Sequence, residues 1–315
     1  MTGVLLLTVN QIALLAVFML AGYFLAAGKL VDKQITPSVS KLINWIFLPA
    51  LIINTFAQNF KIDKITEYAP FLIVGAVVLA LVIPLSFLSA RLITKDSYAR
   101  KIYLYSFIAP NLGYFGYPLV NAVFGPEMLL KYTILTTPFN IFIFSAGINM
   151  FKGDGADKKF GFKSLLTPPL IALIIGIALG LLPVELPAAV GGILSAGAAC
   201  MAPLAMILTG IVLSKRKISE AFAGWRNYAA SGIRLILIPS VFFGLFMLIR
   251  LFAPIEPEWI VLTIACLCLP LGLNVVIFPE YYNRDSAAGA QANLISNIFG
   301  LITIPIAYSL ISLIL

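Results

Sequence analysis

Long charge-free stretches dominate this sequence, and their lengths limit what the chain can fold into. Ten windows of 19 to 30 residues contain no charged side chain, except for one arginine in the eighth. A membrane-spanning helix needs about 20 consecutive apolar residues. The sequence therefore predicts an all-α polytopic membrane protein with ten transmembrane helices. The windows are 2–28, 42–60, 68–90, 102–126, 132–151, 164–184, 186–214, 227–249, 259–279 and 286–315.

Lysine and arginine are distributed unevenly between the loops. Loops after the odd-numbered windows carry 16 of these residues, and loops after the even-numbered windows carry four. Because cytoplasmic loops are enriched in basic residues, both termini are predicted to lie outside the cytoplasmic (inner) membrane. The net charge of +8 follows from the same bias and indicates no nucleic-acid partner. The first window is too long for a signal peptide and lacks its basic start, so we expect it to be retained.

Several kinds of catalytic chemistry have no basis in this composition. Histidine is absent, which excludes histidine metal sites, proton relays and Ser-His-Asp triads. Cys200, Cys266 and Cys268 lie in apolar windows without the spacing of a redox or zinc pair, so we interpret them as packing residues. No acidic residue lies deep in a window. We therefore predict no enzyme activity, no metal site and no cofactor.

The two halves of the chain share features at a common spacing. Three pairs recur at offsets of 154, 155 and 157 residues: Pro49 and Pro203, Pro84 and Pro239, Asn140 and Asn297. Five windows in each half place the second half in the membrane with inverted orientation, as in many carriers. The predicted organisation is a first inverted repeat at 1–151, a cytoplasmic linker at 152–163 and a second repeat at 164–315.

The fourth and ninth windows contain helix-breaking sequences at matching places. Residues 109–118 read APNLGYFGYP, and residues 269–274 read LPLGLN. Proline removes a backbone donor and glycine permits non-helical geometry, so breaks are predicted at Pro110, Pro118 and Pro270. We expect helices 4 and 9 to break and cross, with half-helix N-termini facing an anion and unwound carbonyls facing a cation. The alternative is a pair of proline kinks repaired by neighbouring Ser/Thr side chains.

The chain resembles the auxin efflux carrier family, including its bacterial malate or malonate permease-like members. The resemblance covers nearly the whole chain and rests on the five-plus-five spans, FLPAL at 47–51, NLGYFGYP at 111–118 and, more loosely, LPLGLN. It implies a fold shared with bile-acid/sodium symporters and an elevator-type mechanism, with the substrate beside the crossing. It also implies a scaffold of spans 1, 2 and 5 with their repeat mates, often homodimeric, and a moving unit of spans 3, 4, 8 and 9. Plant members have a long loop where this chain has about a dozen residues, so hormone transport is not implied.

Polar residues at the breaks are the candidates for substrate binding. Asn111 and Asn274 can offer amide donors to a carboxylate or carbonyl oxygens to a sodium ion. Arg234 is the only charge inside a window. It either acts as a counter-charge, for a substrate carboxylate or within the structure, or snorkels to the cytoplasmic surface. The remaining candidate substrate-binding residues are Gly113, Tyr114, Gly272 and Asn54.

These features together predict a secondary transporter of a small organic anion. The expected substrate is a mono- or dicarboxylate such as malate or malonate, or an auxin-like acid, and a coupling ion (Na⁺ or H⁺) is left open. The alternative is a sodium-coupled symporter of a larger anion of the bile-acid type. A membrane-embedded enzyme is less favoured because no carboxylate pair or histidine is available for its chemistry, and a channel does not need matched broken helices.

Overall fold

The computed structural model describes residues 2–32, 35–60, 62–152, 167–181, 186–214 and 218–314. Within these ranges the chain is helical and forms no β-strand. The helices of the first half are α1 (Thr2–Ala27), α2 (Thr36–Leu42), α3 (Leu48–Asn59), α4 (Ile65–Ile93), α5 (Ser97–Ile108) and α6 (Tyr117–Phe142). Helix α6 consists of two helices joined at a kink at Gly125, whose φ is 86°. The second half has α7 (Pro168–Leu181), α8 (Ala188–Leu213), α9 (Ile218–Ala223), α10 (Trp225–Gly232), α11 (Ile238–Arg250), α12 (Pro257–Leu267), α13 (Asn274–Tyr281) and α14 (Ala287–Ile311). Short π-helical turns lie at Ile43–Phe47, Leu112–Gly116, Ile143–Gly147 and Ile233–Leu237.

Seven helical segments of the described chain are long and apolar enough to cross a membrane. They are Gly3–Ala27, Thr36–Asn59, Ile65–Ile93, Leu112–Gly147, Ala188–Leu213, Trp225–Arg250 and Ala287–Ile311. Helices α7 and α12 are apolar but only 14 and 11 residues long. The chain is therefore a multi-span, all-α protein. The count of ten spans stays a prediction, because windows 4 and 9 correspond to broken helices and window 6 lies only partly within the described residues.

Large apolar side chains cover the outer surface of several long helices. Val17 and Phe24 on α1 and Ile73 on α4 are each about two-thirds exposed, at 64%, 65% and 66%. Soluble proteins rarely display extended apolar surface of this kind. These faces are therefore suited to contact with lipid.

Helices α1, α3, α7 and α8 pack side by side as one layer. The contact between α1 and α8 brings backbone against backbone at two glycines. A Cβ atom on Gly22 would lie 2.1 Å from the Ile207 carbonyl oxygen, and one on Gly210 would lie 1.9 Å from that of Met19. Small residues at helix contacts allow this approach in membranes, where dispersion contacts replace the hydrophobic effect.

The longest run of buried residues in the described chain lies in its last third. Every residue from 260 to 273 is buried, which covers α12 beyond its first turn and the segment that follows it. A short helix that is apolar on all sides is suited to such a position, because it has no polar face to expose. Helices α4, α6, α11 and α14 pack against α12. The predicted linker 152–163 lies outside the described residues, apart from Lys152.

Candidate functional site

Two interrupted helices cross in the buried interior of the protein. Helix α5 ends at Ile108 and α12 ends at Leu267, and an unwound segment follows each of them. The unwound segments run antiparallel, with Pro110 paired to Leu271. The Asn111 amide nitrogen donates a hydrogen bond to the Pro270 carbonyl oxygen at 3.0 Å. The two segments thus satisfy part of each other's backbone, as unwound chain within a membrane requires.

The prolines and glycines near the crossing have different structural roles: some lie in the unwound segments, one lies within a helix, and one allows a close backbone contact. Pro110 and Pro270 lie in the unwound segments, whereas Pro118 lies in the first turn of α6, where a proline does not interrupt the helix. The prediction of a break at Pro118 therefore needs correction, because the interruption ends before it. A Cβ atom on Gly272 would lie 2.8 Å from the Ala109 carbonyl oxygen, so this contact requires glycine.

Helix α14 supports the second unwound segment from the side. The Leu271 amide nitrogen donates to the Ser296 hydroxyl at 3.1 Å, and the Asn293 side-chain amide donates to the Leu271 carbonyl oxygen at 2.6 Å. Asn293 and Ser296 are both fully buried. The family resemblance implied that span 10 belongs to the scaffold, but these contacts attach it directly to the crossing.

A small pocket lies beside the crossing, and it brings together five of the predicted substrate-binding residues. These are Asn111, Gly113, Tyr114, Gly272 and Asn274. All residues that line the pocket are uncharged. The side chain of Asn111 is 2% exposed, and its amide nitrogen has no hydrogen-bond partner. The pocket holds about 30 Å³, which is room for about two water molecules.

Two helices begin at this pocket. The π-helical turn Leu112–Gly116 leads into α6, and α13 begins at Asn274. The first N–H groups of a helix have no intrahelical acceptor, and they carry a partial positive charge. The pocket therefore combines the unpartnered Asn111 side-chain amide with a positive potential from two helix N-termini, without any basic side chain. Such a site favours an acceptor-rich, negatively charged group.

Span 2 contributes residues to this pocket that the sequence alone did not single out. The Asn44 side-chain amide donates to the Tyr114 hydroxyl at 2.8 Å, and the Ser40 hydroxyl lies 3.2 Å from the same oxygen. Asn140 also lines the pocket and donates to the Tyr117 hydroxyl at 2.8 Å. The spacing of Ser40 and Asn44, one helical turn apart, was the available signal, but it does not reveal the partner.

Asn54 lies in a different cavity from the other candidates. This cavity has a volume of about 430 Å³ and lies between α3, α6 and α8. Its polar side chains are Asn54, Thr55, Gln58, Asn59, Asn121 and Ser195. Leu48 of α3 lines the crossing pocket and Leu51 lines the larger cavity, so the two spaces lie about 5 Å apart along one helix.

Arg234 lies outside the pocket and contacts backbone instead. Its guanidinium donates to the carbonyl oxygens of Phe107 at 2.8 Å, Leu269 at 3.2 Å and Cys266 at 3.3 Å. Its relative exposure is 0%, so the snorkelling alternative is wrong. The structure also does not bring Arg234 to the pocket as a counter-charge for a substrate carboxylate, because its donors face the opposite ends of the broken helices.

The fold and the pocket define a multi-span membrane transporter, and comparison with known proteins agrees. A family model described as "Membrane transport protein" matches residues 7–161 and 156–308. The chain belongs to this family, the auxin efflux carrier-like membrane transport proteins. Its family and relatives are transporters rather than enzymes.

Two archaeal relatives cover most of the chain. An uncharacterized transporter of Methanocaldococcus jannaschii is 23% identical over 306 residues, covering 95% of this chain and 97% of its own length. An uncharacterized transporter of Methanothermobacter thermautotrophicus is 23% identical over 232 residues, covering 73% of this chain and 75% of its own length. The similarity to both relatives therefore extends well beyond either half of the chain alone.

Proposed function

We propose that this transporter carries a small organic anion, with the substrate's carboxylate bound at the helix crossing. The observation that carries the proposal is the Asn111 side-chain amide, which is buried and unpartnered in a pocket without charged residues. A buried donor without an acceptor costs about 1–3 kcal/mol, and a carboxylate oxygen would remove that cost. The two helix N-termini beside it add favourable potential for a negative charge.

The sizes of the two cavities support an alternating-access cycle of the elevator type. The crossing pocket is too small for a dicarboxylate as it stands, whereas the 430 Å³ cavity is large enough. Residues of both cavities lie on α3, which borders the crossing. We propose that α1, α2, α3, α7 and α8 form the scaffold, and that the crossing unit moves past α3. This grouping keeps spans 5 and 10 with the crossing, because their helices contact it directly.

The ten-span inverted repeat, the domains 1–151 and 164–315, and the predicted topology belong to this proposal. Helix α12 is shorter than a usual span because it ends at the unwound segment of the crossing. With both termini outside the cytoplasmic membrane, Gln58 and Asn59 place the larger cavity on the external side. We also propose a homodimer through the scaffold, as the resemblance implies.

Counterflow into liposomes tests the proposal. Purified protein is reconstituted into liposomes loaded with unlabelled anion, and uptake of labelled malate, malonate, indole-3-acetate or taurocholate is measured against protein-free liposomes. We expect saturable counterflow of at least one small carboxylate, in sodium or in N-methyl-D-glucamine buffer. Sodium-dependent uptake of taurocholate alone would favour the bile-acid alternative. No counterflow of any of the four anions would contradict the proposed substrate class.

A further inference from the structure

The guanidinium of Arg234 lies where the two broken helices point their C-terminal ends. Arg234 belongs to the π-helical turn Ile233–Leu237, between α10 and α11. Its three hydrogen bonds reach a carbonyl from α5 (Phe107), one from α12 (Cys266) and one from the unwound segment after α12 (Leu269). One side chain therefore joins both interrupted helices at their negative ends.

The carbonyl groups that Arg234 contacts have lost their usual helical partners. In a continuous helix the Cys266 carbonyl would accept from residue 270, but Pro270 has no N–H group. The Phe107 carbonyl would accept from Asn111, whose N–H donates to the Pro270 carbonyl instead. The breaks that create the pocket thus leave uncompensated acceptors on its opposite side, and Arg234 supplies their donors.

The charges on this side of the crossing balance without an acidic residue. Each helix C-terminus carries about −0.5 of an elementary charge, so two ends offset about one positive charge. Among the residues that the structure describes, no Asp or Glu lies within ion-pair distance of Arg234. A buried arginine is costly in a membrane, and here the carbonyls and helix ends compensate for it.

The same arrangement of carbonyl oxygens is suited to a metal cation. Carriers built from inverted repeats coordinate Na⁺ with unwound carbonyls and half-helix C-termini. In this chain the oxygens of Phe107, Cys266 and Leu269 already face a group that is permanently charged and covalently attached. A sodium ion at this place would overlap sterically with the guanidinium and would be repelled by its positive charge.

We infer that Arg234 acts as a resident cation at the crossing, taking the place that a coupling cation would occupy. This inference rests on the proposed function in treating the crossing as the moving, substrate-binding unit. Arg234 is a positioning residue on this account, because it holds the two half-helices together and does not touch the substrate. Its consequence is that the crossing stays assembled throughout the cycle without a bound metal ion.

The first test separates charge from hydrogen bonding by the melting temperature of detergent-purified protein. Arg234→Lys keeps the positive charge, whereas Arg234→Gln keeps amide donors without it. If Arg234 is a resident cation, we expect Arg234→Gln to lower the melting temperature by about 5 °C or more and Arg234→Lys to lower it less. A Gln variant as stable as the Lys variant, or more stable, would overturn the inference.

The second test is rescue by a small cation. Arg234→Ala leaves a space the size of the side chain, and millimolar guanidinium should raise the melting temperature of this variant. Arg250→Ala is the matched control, because Arg250 is exposed at the end of α11. We expect no rescue of the control and no effect of guanidinium or sodium on the wild type. The same response in both variants, or stabilisation of the wild type by sodium, would contradict a resident cation.

These measurements do not depend on which anion is carried. If the melting data agree but no counterflow occurs, the resident cation stands and the proposed substrate class fails. If counterflow occurs but Arg234→Gln matches the Lys variant in stability, the anion carrier stands and the inference fails.

Discussion

Asn111 and Arg234 are both buried at the crossing, but they face opposite ends of the broken helices. Asn111 presents a free amide donor to the pocket where two half-helices begin. Arg234 donates to carbonyls where two other half-helices end. The electrostatic potential therefore has opposite sign on the two sides of the crossing. Asn111 lies at the positive helix N-termini, and the cationic Arg234 lies at the negative helix C-termini.

A second buried charge lies away from the crossing, where α6 meets the start of α12. The Lys131 ammonium is 2.9 and 2.7 Å from the two carboxylate oxygens of Glu258, and its side chain is 8% exposed. Glu127 lies farther away, at 3.5 Å, with its side chain 54% exposed. The sequence analysis counted Lys131 among the loop residues, because its charge lies between two apolar windows. Nothing in the sequence reveals that Glu258, 127 residues away, is its partner.

Removal of the Glu258 charge is predicted to destabilise the protein. Glu258→Gln leaves the Lys131 ammonium buried with a weaker partner, and we expect a loss of about 1–3 kcal/mol because Glu258 is partly exposed. Glu127→Gln is the matched control and should change stability by less than about 1 kcal/mol. Melting temperatures of the two purified variants decide this prediction. Equal losses of stability in the two variants would show that the Lys131–Glu258 pair contributes no more to stability than the exposed Lys131–Glu127 pair.

Residue chemistry was only partly predictable from the sequence. Asn111 and Asn274 were identifiable because they lie close to prolines that break their helices. The role of Arg234 was not, since its acceptors are backbone atoms 32, 35 and 127 residues away. A charge in an apolar window indicates that a partner exists, but it does not say whether the partner is a substrate, water or a helix end.

The close approach of the two unwound segments is the main constraint at the scale of elements. Gly272 faces the Ala109 and Pro110 carbonyl oxygens, which a Cβ atom would meet at 2.8 and 3.1 Å. Both neighbours are backbone atoms, so no side chain can rotate away to make room. The pairing of Pro110 with Leu271 fixes the spacing further.

Gly272→Ala is therefore predicted to force the crossing apart. Overpacking against fixed atoms costs about 1–3 kcal/mol, and the pocket beside it should lose its shape. Gly244→Ala on α11 is the control, because a Cβ atom there would meet nothing within 4 Å and alanine favours a helix. We expect a lower melting temperature for the first variant only. A Gly272→Ala protein that melts with the wild type would indicate that the crossing is looser than the structure shows.

The elements themselves were predictable where a window is long and uninterrupted. Window 2–28 became α1 and window 186–214 became α8 with shifts of one or two residues at most. Window 102–126 did not become one helix, since Pro110 and the residue after it pair with the other break. Window 259–279 likewise divides into α12 and α13. Long-range pairing decided these places, and local propensity alone does not contain it.

At the scale of the whole molecule, the distribution of basic residues predicts which face is external. Single cysteines are introduced in a Cys200→Ala background, because Cys200 is exposed whereas Cys266 and Cys268 are buried. The cysteine positions for the two faces are Asp63 and Arg250, predicted external, and Lys95 and Arg284, predicted cytoplasmic. A membrane-impermeant maleimide applied to intact cells should label the first pair only. Labelling of the second pair alone would reverse the predicted topology.

The central claim is that an organic anion binds at the helix crossing through Asn111. Counterflow of labelled malate into liposomes tests it most directly, with Asn111→Ala compared with Asn227→Ala. Asn227 is an equally buried asparagine, 2% exposed, whose amide donates to the Ala221 carbonyl away from the pocket. Loss of one hydrogen bond to a carboxylate should weaken apparent affinity by about tenfold or more in the Asn111 variant alone. Unchanged malate counterflow in Asn111→Ala, or equal loss in both variants, would contradict a substrate site at the crossing.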